Sequence, residues 1–318
     1  MKKNYYPFYI LTGVFVCLLM IAKTTVAQTD IDGLLMQKGF FCVGPTAGKS
    51  SWKNYWEGTF KRDNANLGTV SSTNVMLMGN YGITDKLNVL FGVPYIKTKA
   101  SAGNLKGQKG LQDLNLWVKW VAKEKHVAHG SLKTILMGGY STPVSQYYID
   151  LVPLAIGLKS KTVNGRLMFD YEKGNWFGTL SGTYMFRNNV TLDRNTYYTT
   201  EMHYTNEVEM PDAASMNLRA GYRSMTWIVE AIADKFYTLS GFDITKNNMP
   251  FVSNKMNATR LGLHVKYDTD FVNGLSFVAD GFTTVAGRNV GQSSGFSGGV
   301  FYIFDLGKKV KTKTEEKK

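Results

Sequence analysis

Thr73-Asn74-Val75-Met76-Leu77-Met78-Gly79-Asn80-Tyr81, Gly82-Ile83-Thr84-Asp85-Lys86 and Leu87-Asn88-Val89-Leu90-Phe91-Gly92-Val93-Pro94-Tyr95 run consecutively, and the fold turns on this stretch. In an extended chain, successive side chains point to opposite faces. Val75, Leu77, Gly79 and Tyr81 then share one face, and Asn74, Met76, Met78 and Asn80 the other. Leu87, Val89, Phe91, Val93 and Tyr95 repeat the apolar face after the break. In the break, Gly82 tolerates unusual backbone angles and Asp85 can bond its local backbone, so the pattern predicts a hairpin.

The same unit recurs along the chain. Leu114, Leu116, Val118 and Trp120 oppose Asn115, Trp117 and Lys119, and Leu132, Leu136 and Tyr140 follow. Leu167, Phe169 and Tyr171 face away from Arg166, Asp170 and Glu172. Trp176, Leu180, Tyr184 and Phe186 oppose Thr179, Ser181, Thr183 and Arg187. Met216, Leu218, Ala220 and Tyr222 oppose Asn217, Arg219 and Arg223, and Trp227, Val229, Ala231 and Ala233 oppose Glu230 and Asp234. Leu261, Leu263, Val265 and Tyr267 oppose Arg260, His264 and Lys266; Leu275, Phe277 and Ala279 oppose Ser276 and Asp280; Phe296, Val300, Tyr302 and Phe304 close the series.

A soluble sandwich alternates in the same way. Three features favour a barrel in a membrane. Charged residues keep to one face, as they must where Lys or Arg turned toward mid-bilayer lipid costs about 2–4 kcal/mol. A slip of one residue would turn Arg219, Arg223, Arg260 and Lys266 outward together. Aromatics such as Tyr81, Tyr95, Tyr140, Trp176, Trp227 and Tyr302 sit at strand ends, where headgroups favour amphipathic rings. Connections alternate short (Ile83 to Lys86, Lys173 to Asn175, Ser224 to Met225, Thr269 to Asn273) and long (Lys99 to Lys109, Pro143 to Ser160, Asn188 to Pro211, Leu239 to Met256). Outer-membrane barrels have short periplasmic turns and longer external loops. The expected fold is all-β: a closed antiparallel transmembrane barrel of about twelve strands, with ten to fourteen allowed, counted from Trp52 and with both termini periplasmic.

The N-terminus agrees. Lys2 and Lys3 precede an apolar run from Phe8 to Ala22, and small residues end at Ala27-Gln28. That order is a secretory signal, too short for a spanning helix of about 20 residues. Residues 1–27 are read as the signal, 28–50 as an N-terminal segment without a clear strand that enters the lumen or stays periplasmic, 51–306 as the barrel, and 307–318 as a basic, solvated periplasmic tail. Cys17 would leave with the signal, so Cys42 has no partner for an internal disulfide. No other segment approaches 18 consecutive apolar residues, which leaves the mature chain without a helical span. The chain has 318 residues, a net charge of +13 and 13% aromatics. A basic balance can signal nucleic acid, but an exported chain meets little of it, and much of the excess lies in the six lysines and two glutamates from Lys308 to Lys318. The expected partners are outer-membrane lipid and lipopolysaccharide, the barrel-assembly machinery during insertion and a small solute, with no nucleic acid.

Tyr81-Gly82-Ile83-Thr84-Asp85-Lys86-Leu87, Val93-Pro94-Tyr95 and Gly110-Leu111-Gln112-Asp113-Leu114 together resemble the phenol meta-pathway degradation family of bacterial outer-membrane proteins, a transporter-like group of barrels. Asn54-Tyr55-Trp56-Glu57-Gly58 looks like the Bacteroidetes members of that group. The likeness is clearest over residues 50 to 125, and Gln112 stands where members more often have Gly. It implies a barrel and passage of small, aromatic or hydrophobic molecules, and it carries over no catalytic residue.

The inward face assembles Lys119, Asp170, Glu172, Arg187, Arg219, Arg223, Glu230, Asp234, Arg260, His264, Lys266 and Asp280. Both signs are present. The set reads as a network bracing the barrel, as a lining that selects solutes by charge and width, or as both, because about twelve strands leave more lumen than eight. Hydrolysis would need a nucleophile beside a base. Of the four histidines, His126 and His129 fall in a short turn, His203 in an external loop, and His264 points inward. None sits beside a serine on the lipid face. His126 and His129 have a metal-like spacing, but only Glu124 accompanies them. No catalytic, cofactor or metal residue is assigned. The expected function is passive passage of small molecules, with an adhesion or structural barrel acting through Tyr197, Tyr198, Tyr204, Phe242 and Phe251 of the long loops as the alternative.

Overall fold

A computed structural model describes Thr29–Thr245 and Met249–Gly307. The signal assigned to residues 1–27 and nearly all of the basic tail fall outside the described residues. Twelve long strands form the wall. They are β1 (Phe40–Trp52), β2 (Val70–Thr84), β3 (Leu87–Ala100), β4 (Asp113–Val127), β5 (Gly130–Pro143), β6 (Thr162–Lys173), β7 (Trp176–Arg187), β8 (Ala213–Arg223), β9 (Trp227–Thr238), β10 (Asn257–Asp268), β11 (Leu275–Arg288) and β12 (Ser294–Asp305).

Each strand pairs antiparallel with the next, and β1 pairs with both β2 and β12, so the sheet closes. Closure gives the backbone donors and acceptors of every wall strand partners on both sides, which a hydrocarbon environment requires. The outer surface carries Val75, Leu77, Val118, Trp120, Leu136, Phe169, Leu180, Leu218, Val229, Leu261, Leu263 and Phe296, all exposed. Such an apolar band around a whole molecule is incompatible with water and suited to lipid. The chain is a transmembrane β-barrel.

One end carries tight turns at residues 85–86, 128–129, 174–175, 224–226 and 269–274. Ala128 and His129 both have positive φ (48° and 64°), the backbone of a two-residue hairpin turn whose twist matches the strands. The other end carries the connections 53–69, 101–112, 144–161, 188–212 and 239–256, and a shorter one at 289–293.

The first strand differs from the sequence-based expectation. Counting from Trp52 put the barrel's start where β1 ends, and residues 28–50 showed no clear strand. Phe40–Trp52 is in fact the closing strand, and the stretch after it, Asn54–Glu57 with Phe60–Asp63, is a small hairpin in the first long loop. Phe40, Phe41, Cys42 and Val43 are apolar on both faces because the inward Cys42 packs against Met36, Phe301 and Ile303. That packing erases the alternation. The connection 188–212 likewise forms short hairpins of its own, Val190–Thr191 with Glu207–Val208 and Tyr197–Tyr198 with Met202–His203.

The long loops are packed. Tyr147, Ile149, Ile156, Val190, Leu192, Tyr197, Val208, Met210, Phe251 and Val252 form one buried cluster across three of them. Burial first, and the Asp113 carboxylate second, push the Tyr147 phenol well above its ordinary range. It therefore donates to Asp113 at 2.8 Å and accepts from the Lys159 amide at 2.8 Å. Asn289 holds another corner: its amide oxygen accepts from the Gly58 and Ile244 amides, and its nitrogen donates to Asp243 and the Lys255 carbonyl.

Candidate functional site

The N-terminal stretch before β1 runs inside the barrel. It enters among the short turns, where the Gly39 amide donates to the Gly82 carbonyl at 2.9 Å and the Lys38 amide to the Asp85 carboxylate at 2.9 Å. The motif around Gly82 and Asp85 thus holds the incoming segment. Asp85 bonds an amide from a distant residue rather than its own turn. A side chain at position 82 would strike the Gln37 carbonyl at 2.1 Å, so Gly82 is required by this close approach.

From there the segment lies along β3 to β6. Asn88 donates to the Met36 carbonyl at 3.1 Å. Asp32 folds its segment locally by accepting from the Thr29 and Leu34 amides, a short Asx-type arrangement. Lys119 on β4 then donates to the Asp32 carbonyl at 2.7 Å and pairs with its carboxylate at 3.1 Å. The two side chains are 0% and 6% exposed, and a charge so buried requires its partner. Arg166 on β6 donates to the Asp30 carbonyl at 2.6 Å, pairs with its carboxylate at 3.2 Å, and lies over the Trp117 ring at 4.6 Å. Gly33 faces Asp170 so closely that a Cβ there would fall 2.1 Å from the carboxyl carbon. Beneath Leu35 and Trp117, Val121, Ile135, Met137 and Met168 make a dry cluster.

The facing interior, on β8 to β11, is polar. Arg219 pairs with Glu230 at 2.6 Å, both nearly inaccessible. Lys266 bonds Asp268 at 2.5 Å, and Ser276 donates to the same carboxylate. His264 meets Asp280 at 2.6 Å, and here 41% of the Asp280 side chain stays accessible. Arg223 reaches across to Asp170 at 3.1 Å, lies 3.5 Å over the Phe177 ring, and stands 3.8 Å from Glu172.

The remaining inward residues from the sequence sit higher in the lumen. Asp234 accepts from Asn217 at 3.4 Å. Arg260 is exposed and lies 5.6 Å over Phe282. Arg187 donates to the Pro211 carbonyl at 3.3 Å and lies over Phe236. The structure therefore joins nine of the twelve into pairs with an acid or base from their own set or close by. It separates Arg187, Asp234 and Arg260 from any ion pair, and gives Lys119 a partner the sequence reading did not name. That reading also omitted Asp30, Asp32 and Arg166. Arg166 had the right strand phase to be found; the two aspartates lie outside any alternating stretch and had no such signal.

His126 is the next-to-last residue of β4 and His129 lies in the turn after it. No group of three or more metal-ligating side chains occurs among the described residues.

No family model matches the chain, and no curated relative is matched by sequence. Among solved structures, the chain is similar to an outer-membrane channel from Pseudomonas putida F1, with a TM-score of 0.67 and 14% identity over 88% of this chain and 100% of that one. The likeness shows a shared fold, a closed antiparallel β-barrel. The translocator domain of the autotransporter NalP from Neisseria meningitidis aligns over 94% of both chains at 11% identity, with a TM-score of 0.43.

Proposed function

We propose that the protein resides in the outer membrane as a passive channel for small molecules, and that its solutes pass between the N-terminal segment and the polar wall of β8 to β11. The observation that carries this reading is the cavity of about 230 Å³ beside the segment, bounded by Arg219, Glu230, His264, Lys266 and Asp280. A barrel braced only for stability gains nothing by leaving His264 and Asp280 accessible to water. The paired charges leave the passage nearly neutral, which suits uncharged solutes.

Several finer points belong to the same proposal. The motifs around Tyr81–Leu87 and Gly110–Leu114 support kinship with the phenol meta-pathway group of Bacteroidetes type, and hence aromatic or hydrophobic solutes. Export by the segment 1–27, insertion by the barrel-assembly machinery and contact with lipopolysaccharide follow from an outer-membrane destination. The twelve inward residues named from sequence are the proposed lining, with no catalytic role.

Swelling of proteoliposomes tests the channel. Vesicles carrying the full chain are expected to swell in small uncharged solutes and to slow as solute size grows. Vesicles no leakier than protein-free ones would reject the reading. They would favour a structural or adhesion barrel, for which the packed external loops and the exposed Tyr148, Tyr198 and Tyr204 speak.

A further inference from the structure

Two cavities lie one beyond the other along the polar wall. The inner one, of about 230 Å³, is the passage already described. The second, of about 300 Å³, opens among the short turns and is bordered by Glu172, Arg223 and Asp268. Their linings share two residues, Leu34 and Ile228. Both are aliphatic, and each is held in place. Ile228 points inward from β9 and is buried. Leu34 lies between two anchors of the N-terminal segment, the Lys119–Asp32 ion pair and the bond from Asn88 to Met36.

From this juxtaposition the geometry points to a solute filter at Leu34 and Ile228. It is a neck of two aliphatic side chains between two chambers that charged side chains border, and it admits uncharged molecules with an apolar edge while resisting hydrated ions. The inference deepens the channel reading and rests on it. An ion at the neck must shed water where two hydrocarbon side chains offer no replacement, and narrow apolar constrictions exclude ions by dewetting. A molecule with an apolar edge keeps favourable contact there, and its polar groups find partners as soon as it enters either chamber. The Lys266–Asp268 pair runs past the neck, with Lys266 lining one cavity and Asp268 the other. Its charges are already neutralised by each other, so they do not draw an ion through.

The test is the ratio of potassium conductance in planar bilayers to uptake of an uncharged aromatic alcohol in proteoliposomes, for wild type, Ile228→Ser, Leu34→Ala and Val229→Ala. Val229 follows Ile228 on β9 and is exposed on the outer surface. Folding of each variant is checked by the heat-induced shift in gel mobility of an intact barrel. Ile228→Ser is expected to raise potassium conductance several-fold with little change in alcohol uptake. Leu34→Ala should act in the same direction, and Val229→Ala should stay near wild type. A conducting wild type whose Ile228→Ser and Leu34→Ala forms show an unchanged ratio overturns the neck and leaves the channel standing. Passage of neither ion nor alcohol by any folded form overturns the channel reading itself, and the neck with it.

Discussion

The two sides of the lumen are built from the same kind of strand yet do opposite work. Along β4 to β6 the segment is clamped to the wall, although a cavity of about 250 Å³ stays beside Asp30, Leu90 and Asn115: Lys119 and Arg166 hold Asp32 and Asp30, Gly33 lies against Asp170, and Val121, Ile135, Met137 and Met168 are buried beneath. Along β8 to β11 the charges pair within the wall or with its neighbours, and space remains in front of them. The difference lies in where the counter-charges come from. Lys119 and Arg166 take their counter-charges from the segment and so hold it in place, while Asp170 and Glu172 of the same side turn to Arg223. On the channel reading, the second side leaves the passage and the first holds the segment.

The largest effect that would break this contrast is expected at Lys119. Lys119→Met strands Asp32 as a buried charge, a loss of about 3–5 kcal/mol, enough to free the segment from its berth. Protease added to the folded barrel should then cleave the segment, and Lys119→Met/Asp32→Asn should restore protection. Continued protection in the single variant would mean that the charge pair does not hold the segment.

Next in size is a pair of neighbours on β8. Leu218 is exposed on the outer surface and Arg219 is buried inside. Leu218→Arg should lower stability by about 2–4 kcal/mol in lipid, measured by urea titration in vesicles. Arg219→Leu with Glu230→Gln should insert normally, whereas equal impairment of both would show that the strand's register is misjudged. Arg219→Leu alone leaves Glu230 without its partner, so only the double change isolates the register.

At the most accessible pair of the open wall, His264 with Asp280, the effect of losing the contact should be small. His264→Asn removes a contact whose partner is accessible, and such pairs are worth up to about 1 kcal/mol. The same urea titration should scarcely move, while conductance changes because the side chain borders the passage. A shift as large as that of Lys119→Met would erase the distinction between the walls.

The smallest effect concerns the external loops. The Arg288 hydrogen bonds hold the Asp243 carboxyl below its ordinary value, with Asn289 adding to them. A depressed carboxylate stabilises the fold above its unfolded pKa of 3.8 and loses that contribution as pH falls through its folded value. Protease sensitivity of the loop 239–256 should therefore rise only in acid below that range and remain flat near neutrality. Asn289→Ala should make the loop sensitive at every pH.

How much of this was legible beforehand depended on whether a residue's partner lay on a strand. Strand phase put Arg219, Glu230, His264, Lys266 and Asp280 on the inner face, because charge facing lipid is so costly that alternation is strict. Loop lengths ordered the two ends for the same reason, through the need for short turns at one of them. β1 was missed because its inner face is apolar where Cys42 meets Met36 and Ile303, so no alternation marks it. The berth was invisible because its pairs join residues far apart in sequence, such as Lys119 with Asp32, and nothing local in Thr29–Leu34 declares a partner. The turn motif at Gly82 and Asp85 was recognised as a motif, but its work in gripping the incoming chain appears only once Gly39 and Lys38 are placed beside it.

The contrast between covered and open walls can be measured directly by single cysteines placed in a Cys42→Ala chain and treated with a charged, water-soluble thiol reagent while current is recorded in bilayers. Cysteines at His264 and Asp280 are expected to react and reduce the current, whereas those at Ile135 and Met168 stay unmodified until the barrel is unfolded. Equal reaction at all four positions, or reaction at Ile135 and Met168 alone, would contradict a passage confined to the wall of β8 to β11.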